Sequence, residues 1–181
     1  MFLLLLLHTN WVNAVAVTLD GNRVISGSGD NTLKVWNLET GEELFTLTGH
    51  TDEVNAIAVT PDGKRVISAS SDSTIKVWDL ETGDELFTLV GHIGKVGAVT
   101  VSPDGKRVIS LSWNNTLKVW DLSSREVIAS FSGDGGLLCY AVAPDGVTIV
   151  AGEQLSGRVH FLRLEGVESI MRGGNSTSPA L

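Results

Sequence analysis

A spacing of 42 residues recurs along this chain of 181 residues and limits what the chain can fold into. Two residue types mark it most clearly: His8, His50, His92, Trp36, Trp78 and Trp120. A fixed period of this length indicates an array of similar units that stack and bury their apolar faces against one another. The positions at which the units differ therefore carry the information about function.

One complete unit, residues 50–91, has the pattern of four short strands separated by turns. The strands are predicted at residues 54–59, 65–70, 74–80 and 85–90. Between the first two strands, Pro61-Asp62-Gly63 supplies a residue with a fixed φ and a glycine that accepts a positive φ. Four short strands per unit, without sustained helical periodicity, predict an all-β fold.

The unit resembles the repeat of the WD-repeat β-propeller family. Gly49-His50 precedes its first strand, Pro61-Asp62-Gly63 forms its first turn, and Trp78-Asp79 lies in its third strand. The resemblance covers residues 1–164 and implies β-propeller blades, namely four four-stranded WD-type repeats that form a partial propeller or half of a larger ring. The implied blades are residues 8–49, 50–91, 92–133 and 134–164.

The two ends of the chain are interpreted separately. Residues 1–7 align with the end of a repeat and are interpreted as an orphan outer strand of a blade; a truncated signal peptide is the weaker alternative, because no basic segment or cleavage site accompanies the apolar run. Residues 165–181 are rich in Gly, Ser, Asn and Pro and are interpreted as a flexible tail. Four blades could close a strained ring, form an open arc, or pair with a second copy to make eight blades.

The resemblance also implies a buried hydrogen-bonded tetrad in each blade. In this tetrad the Trp indole donates to Ser, Ser contacts His, and His contacts Asp. The implied sets are His8, Ser26, Asp30 and Trp36; His50, Ser68, Asp72 and Trp78; and His92, Ser110, Asn114 and Trp120. In the third set an asparagine replaces the aspartate, and the fourth repeat has lost the set almost entirely.

No catalytic, metal or cofactor site is predicted. A hydrolase would need one exposed nucleophile with an oxyanion hole, whereas the Ser, His and Asp residues recur three times together with a tryptophan. The histidines occur once per repeat without a second ligand at short spacing, which disfavours a metal. The glycine-rich stretch 27–31 lies between strands and opens no helix, which disfavours a phosphate-binding loop.

The loops that precede the first strands and those that join the second and third strands share one face in the family, and the family uses that face for partners. Residues on these loops vary between the repeats, so we predict a partner-binding face there: Trp11, Asn13, Glu53, Asn55, Lys95 and Trp113. Trp11 and Trp113 each occur in one repeat only. Tryptophan is enriched at interaction hot spots, so these two residues are the predicted anchors.

The composition narrows the classes of partner. The net charge of −8 argues against nucleic acid, and the only long apolar run is too short to span a membrane. Cys139 is the only cysteine, which is compatible with a reducing, cytoplasmic location. The sequence thus predicts a non-catalytic protein–protein interaction scaffold with an unidentified protein partner and possible self-association to complete a ring. The alternative is a C-terminal sensor or regulatory fragment of a larger signalling protein.

Overall fold

A computed structural model describes residues 8–165 of the chain, and this part is built from fifteen β-strands. Blade one contains β1 (Val12–Val17), β2 (Arg23–Ser28), β3 (Thr32–Asn37) and β4 (Glu43–Thr48). Blade two contains β5 (Val54–Val59), β6 (Arg65–Ser70), β7 (Thr74–Asp79) and β8 (Glu85–Val90). Blade three contains β9 (Val96–Val101), β10 (Arg107–Ser112), β11 (Thr116–Asp121) and β12 (Val127–Ser132). Blade four contains β13 (Leu137–Val142), β14 (Thr148–Glu153) and β15 (Val159–Arg163).

Each blade is an antiparallel sheet whose strands are paired in chain order. The described residues contain no helix, and so none that is long and apolar enough to cross a membrane. The all-β prediction is confirmed, and blades one to three have four strands as expected. Blade four has three strands within residues 8–165. The interpretations of residues 1–7 as an outer strand and of the tail after residue 165 lie outside the described residues.

The turn between the first and second strands of a blade fixes where the second strand begins. In blade two, Gly63 has a φ of 70°, which a glycine accepts without strain. Asp62 accepts hydrogen bonds from the Thr60 hydroxyl at 2.6 Å and from the Lys64 amide at 3.0 Å. The hydrogen bond from Thr60, followed by that from Lys64, lowers the pKa of Asp62. The aspartate therefore fixes the turn that returns the chain into β6.

The hydrophobic core lies between successive blades rather than within any one of them. We call the side of a blade that is turned toward the following blade its trailing face. The side that is turned toward the preceding blade is its leading face. The trailing face of blade one consists of Ile25, Leu33, Val35 and Leu47. It packs on the leading face of blade two, which consists of Val54, Val66, Trp78 and Leu80. Burial of such a side chain contributes about 1.5–3 kcal/mol, so the contacts between blades hold the array together.

Candidate functional site

The predicted tetrad of blade two is assembled from four separate elements. Trp78 on β7 donates its indole N–H to the Ser68 hydroxyl on β6 at 2.9 Å. The Ser68 oxygen lies 2.8 Å from His50 Nε2, and His50 Nδ1 lies 2.7 Å from Asp72 Oδ2. Asp72 stands in the turn after β6, and its Oδ1 also accepts a hydrogen bond from the Thr74 amide. The network therefore connects the loop before the first strand of the blade to its second and third strands.

Blade one repeats the arrangement. The Trp36 indole donates to Ser26 at 2.9 Å, Ser26 lies 2.8 Å from His8 Nε2, and His8 Nδ1 lies 2.9 Å from Asp30 Oδ2. Burial alone would raise the pKa of Asp30, but its hydrogen bonds, led by that from Thr32, outweigh burial and lower the pKa. This carboxylate thus stays ionised and acts as a fixed acceptor.

Blade three has an incomplete network. The Trp120 indole donates to Ser110 at 2.8 Å, and Ser110 lies 2.7 Å from His92 Nε2. Asn114 replaces the aspartate, and within residues 8–165 His92 Nδ1 is buried without a hydrogen-bond partner. Burial, followed by the nearby charge of Lys118, lowers the pKa of His92 to about 4. The imidazole is therefore neutral at neutral pH.

These sets cannot present a nucleophile in this conformation. Ser68 and Ser110 are completely buried, and each is held between an indole and an imidazole. A catalytic serine must reach a substrate that lies beside an oxyanion hole. Within the described part of the chain there is also no cluster of three or more His, Cys, Asp or Glu side chains that could hold a metal ion. The geometry is that of a structural network.

Blade four contains a polar cluster that sequence reasoning missed. Glu153 on β14 has its Oε1 3.0 Å from Nε2 of His160, and Ser156 donates a hydrogen bond to its other oxygen. The hydrogen bond from Ser156 lowers the pKa of Glu153 although burial opposes it. Glu153 occupies the β14 position that corresponds to Ser70 in blade two, as the pairing register shows. The sequence feature that could have revealed this cluster is the charged Glu153 at a position where blade two has a buried serine.

The variable loops bring the predicted anchors to one surface, which we call the loop face. We define it by the loops before each first strand and by the turns between second and third strands. Trp11 is 81% exposed and Trp113 is 67% exposed, while Glu53 and Lys95 are also exposed. The side chain of Ile93, which the sequence did not single out as a binding residue, is 90% exposed in the same loop as Lys95. The loop face therefore carries large apolar side chains next to charged ones.

Trp113 is held in place by its own blade while remaining exposed. Lys95 Nζ lies 5.7 Å from the centre of its ring, which is within the range of a cation–π interaction. The ring also covers Gly97, where an added Cβ would lie 2.3 Å from Trp113 Nε1. A cavity of about 310 Å³ opens beside Trp113, between blades three and four, and Leu138 and Gln154 line its other side. The indole thus forms one wall of a concave surface.

Two residues of the predicted partner-binding face lie within strands. Asn13 lies in β1 and Asn55 lies in β5, which agrees with the strand predicted at residues 54–59. The amide of Asn13 donates to the Val54 carbonyl at 3.1 Å, and that of Asn55 donates to the Val96 carbonyl at 3.0 Å. An amide N–H group of each residue therefore ties its blade to the following one, while Asn13 also remains exposed. The same position is Gly97 in blade three, where the tie is replaced by the Trp113 ring.

Comparison with known families agrees with this geometry. The family described as "WD domain, G-beta repeat" matches residues 4–37, 41–79 and 83–121, which is more than half of the chain. The chain belongs to the WD-repeat family. WD repeats serve in general as platforms for protein interaction, and proteins that contain them are generally non-catalytic scaffolds.

A curated relative shares one repeat with this WD-repeat chain. The chain is 43% identical over 42 residues to the "Probable E3 ubiquitin ligase complex SCF subunit sconB" of Arthroderma otae. That segment is 23% of this chain and 6% of the relative. The similarity therefore concerns the repeat and covers only a small part of the relative's length.

Proposed function

We propose that this chain is a non-catalytic scaffold that binds a protein partner through its loop face, with Trp11 and Trp113 as anchors. The observation that carries the proposal is the exposure of two tryptophans, each present in one repeat only, at 81% and 67% on the most variable surface. Such side chains dominate binding energy when a partner buries them. Trp113 is already ordered by Lys95 and Gly97, so its burial by a partner would cost little additional side-chain entropy.

The charges of this surface favour a protein over a nucleic acid or a membrane. The loop face carries Asp52 and Glu53 near blade two, and the chain has a net charge of −8. A phosphate-rich partner requires clustered Lys and Arg, whereas Lys95 stands beside the acidic loop that carries Asp52 and the exposed Glu53. We therefore expect no nucleic acid, membrane or cofactor among the ligands, and we expect the protein to act in the cytoplasm.

Comparative affinity capture tests the loop-face proposal. The wild-type chain and the double variant Trp11→Ala/Trp113→Ala are used as baits, and captured proteins are quantified by mass spectrometry. We expect at least one protein to be captured about 30-fold less by the double variant, which corresponds to about 2 kcal/mol of hot-spot energy. Leu19→Ala is the matched control, because Leu19 is 83% exposed in a turn between a first and a second strand, away from the loop face. Equal capture by all three baits would contradict the proposal.

A regulatory part of a larger signalling protein is the second candidate. The curated relative that shares one repeat is a longer chain, of which the matching segment makes up 6%. Coding sequence that continues in frame upstream of Met1 and encodes a catalytic domain would favour this candidate. A transcript that starts immediately upstream of Met1 would count against it.

We further propose that the chain associates with itself to complete a ring. The outer side of β15 has no partner strand within residues 8–165. A cavity of about 300 Å³ lies beside that strand, and Phe131, Leu162 and Leu164 are among the apolar residues that line it. An open strand edge next to an apolar cavity is a surface that proteins usually cover. Light scattering tests the association, and a folded monomer at micromolar protein would contradict it.

A further inference from the structure

The leading face of blade one is exposed, although the same positions are buried in the next two blades. Val12 is 50% exposed, whereas its equivalents Val54 and Val96 are fully buried. Leu38 is 47% exposed, whereas its equivalent Leu80 is fully buried. Val15 and Val17, at 63% and 52%, lie on the same side of β1. This face has the composition of an interface between blades but has no blade against it in the described structure.

The trailing face of blade four is exposed in the same way. The pairing register places Val159 and Phe161 at the positions of Leu33 and Val35 in blade one. Leu33 and Val35 are fully buried against blade two, whereas Val159 is 58% exposed and Phe161 is 77% exposed. Blade four therefore ends the array with an uncovered apolar face of the kind that every other blade packs on its successor.

The two exposed faces are complementary, because the chain contains the same contact three times. Trailing faces pack on leading faces between blades one and two, two and three, and three and four. The exposures of Val15 and Phe161 also show that blade four does not cover blade one of its own chain in this structure. Within residues 8–165 of a single chain both apolar faces are exposed, and surfaces of this kind mark interaction sites.

We propose that the leading face of blade one is covered by the trailing face of blade four from a second copy of this chain. Two copies joined through two such contacts form a closed assembly of eight blades, which lies within the usual range for propellers. The inference rests on the proposed self-association and specifies its surfaces: Val12, Val15, Val17 and Leu38 on one copy, and Val159 and Phe161 on the other. It does not depend on the loop face.

Two charge substitutions and their mixture test the proposal on the full chain. Val15→Asp damages only the leading face, and Phe161→Asp damages only the trailing face. Both side chains are mostly exposed within one chain, so the variants should fold, which circular dichroism can check. Leu155→Asp is the control, because Leu155 is 84% exposed in a turn of blade four and lies on neither face. Sedimentation velocity at micromolar protein gives the mass of each sample.

We expect twice the chain mass for the wild type and for Leu155→Asp, and at least tenfold weaker association for each face variant. An equimolar mixture of Val15→Asp and Phe161→Asp should associate more tightly than either variant alone, because it restores one of the two contacts: the intact trailing face of Val15→Asp on the intact leading face of Phe161→Asp. A dimer that neither substitution weakens would overturn the assigned surfaces but leave self-association intact. A mixture that associates no more tightly than either variant alone would overturn the head-to-tail pairing. A folded wild-type monomer would overturn both, and would mean that a preceding blade or another protein covers blade one.

Discussion

At the scale of single residues, the three tetrads differ mainly at one position, and the difference changes the chemistry of a buried histidine. In blades one and two a carboxylate accepts the hydrogen bond from the histidine Nδ1 position, at 2.9 and 2.7 Å. In blade three Asn114 leaves His92 Nδ1 without a partner within residues 8–165. A buried polar atom without a partner costs about 1–3 kcal/mol, so blade three has the weakest of the three networks.

Asn114→Asp should therefore stabilise the protein by about 1 kcal/mol at neutral pH, because it supplies the missing acceptor. It should also change the pH dependence. The unfolded chain protonates His92 near pH 6.5 and the folded chain near pH 4, so the wild type loses stability as the pH falls through this interval. The new carboxylate raises the folded pKa and removes that loss.

Urea unfolding of the wild type and of Asn114→Asp at pH 7 and pH 5 measures both effects. The wild type is the matched reference, since Asn114 Oδ1 already accepts a hydrogen bond from the Thr116 amide at 3.3 Å and an aspartate can keep that bond. If Asn114→Asp were no more stable than the wild type at pH 7, the missing acceptor would not be what limits the network of blade three.

The tetrads of blades one and two predict how burial affects the cost of losing the indole hydrogen bond. Trp78→Phe removes the donor to Ser68 in a site where the indole is 1% exposed, and we expect a loss of about 1–3 kcal/mol. Trp36→Phe removes the equivalent hydrogen bond on the partly exposed leading face of blade one, where water can replace the donor. Chemical denaturation in the Phe161→Asp background, which we expect to be monomeric and which leaves both tetrads unchanged, should show the smaller loss for Trp36→Phe. Equal losses of unfolding free energy in the two variants would show that burial does not set the cost of removing the indole donor.

At the scale of elements, two positions that are in contact within a blade differ together between blades two and three. In blade two, the Asn55 amide donates to the Ser71 hydroxyl at 3.0 Å as well as to the Val96 carbonyl of the next blade. In blade three both positions change together: Gly97 replaces the asparagine and Trp113 replaces the serine. The ring then occupies the space that the amide fills in blade two. Blade three thus has an exposed aromatic ring where blade two has a hydrogen bond to the next blade.

Gly97→Asn alone should destabilise the protein by about 1–2 kcal/mol, because the new side chain overlaps the Trp113 ring. Gly97→Asn combined with Trp113→Ser recreates the pair found in blade two and should recover that loss. A double-mutant cycle of thermal stabilities checks this, with an expected coupling of at least 0.5 kcal/mol. Additive effects would show that the two positions are independent.

The sequence predicted the elements well where the repeat itself carries the signal. The period, the turns and the alternation at residues 74–79 were sufficient to predict the four-stranded blades, because each strand depends on local pattern and on a copy of the same neighbour. The hydrogen bond from Asn55 to the next blade was not predicted, because a single repeat does not show that contact. Glu153 was missed for a similar reason, since its partners belong to a repeat that has lost the shared pattern.

At the scale of the whole molecule, the structure separates two kinds of surface. The loop face carries Trp11 and Trp113 above the ends of the strands, whereas Val15 and Phe161 lie on the flat faces of the first and last blades. The exposed end faces could not be predicted from the repeat, because the repeat shows which residues are apolar but not which blades lack a neighbour. Partner binding and self-association should therefore be separable by mutation.

The most direct test measures both properties on the same two variants. For Trp11→Ala/Trp113→Ala and for Val15→Asp, sedimentation gives the mass and quantitative capture gives the partner bound per chain. We expect the tryptophan variant to remain dimeric while losing the partner about 30-fold, and Val15→Asp to become monomeric while binding the partner as the wild type does. Loss of both properties in either variant, with the fold intact, would contradict the assignment of separate surfaces to partner and self.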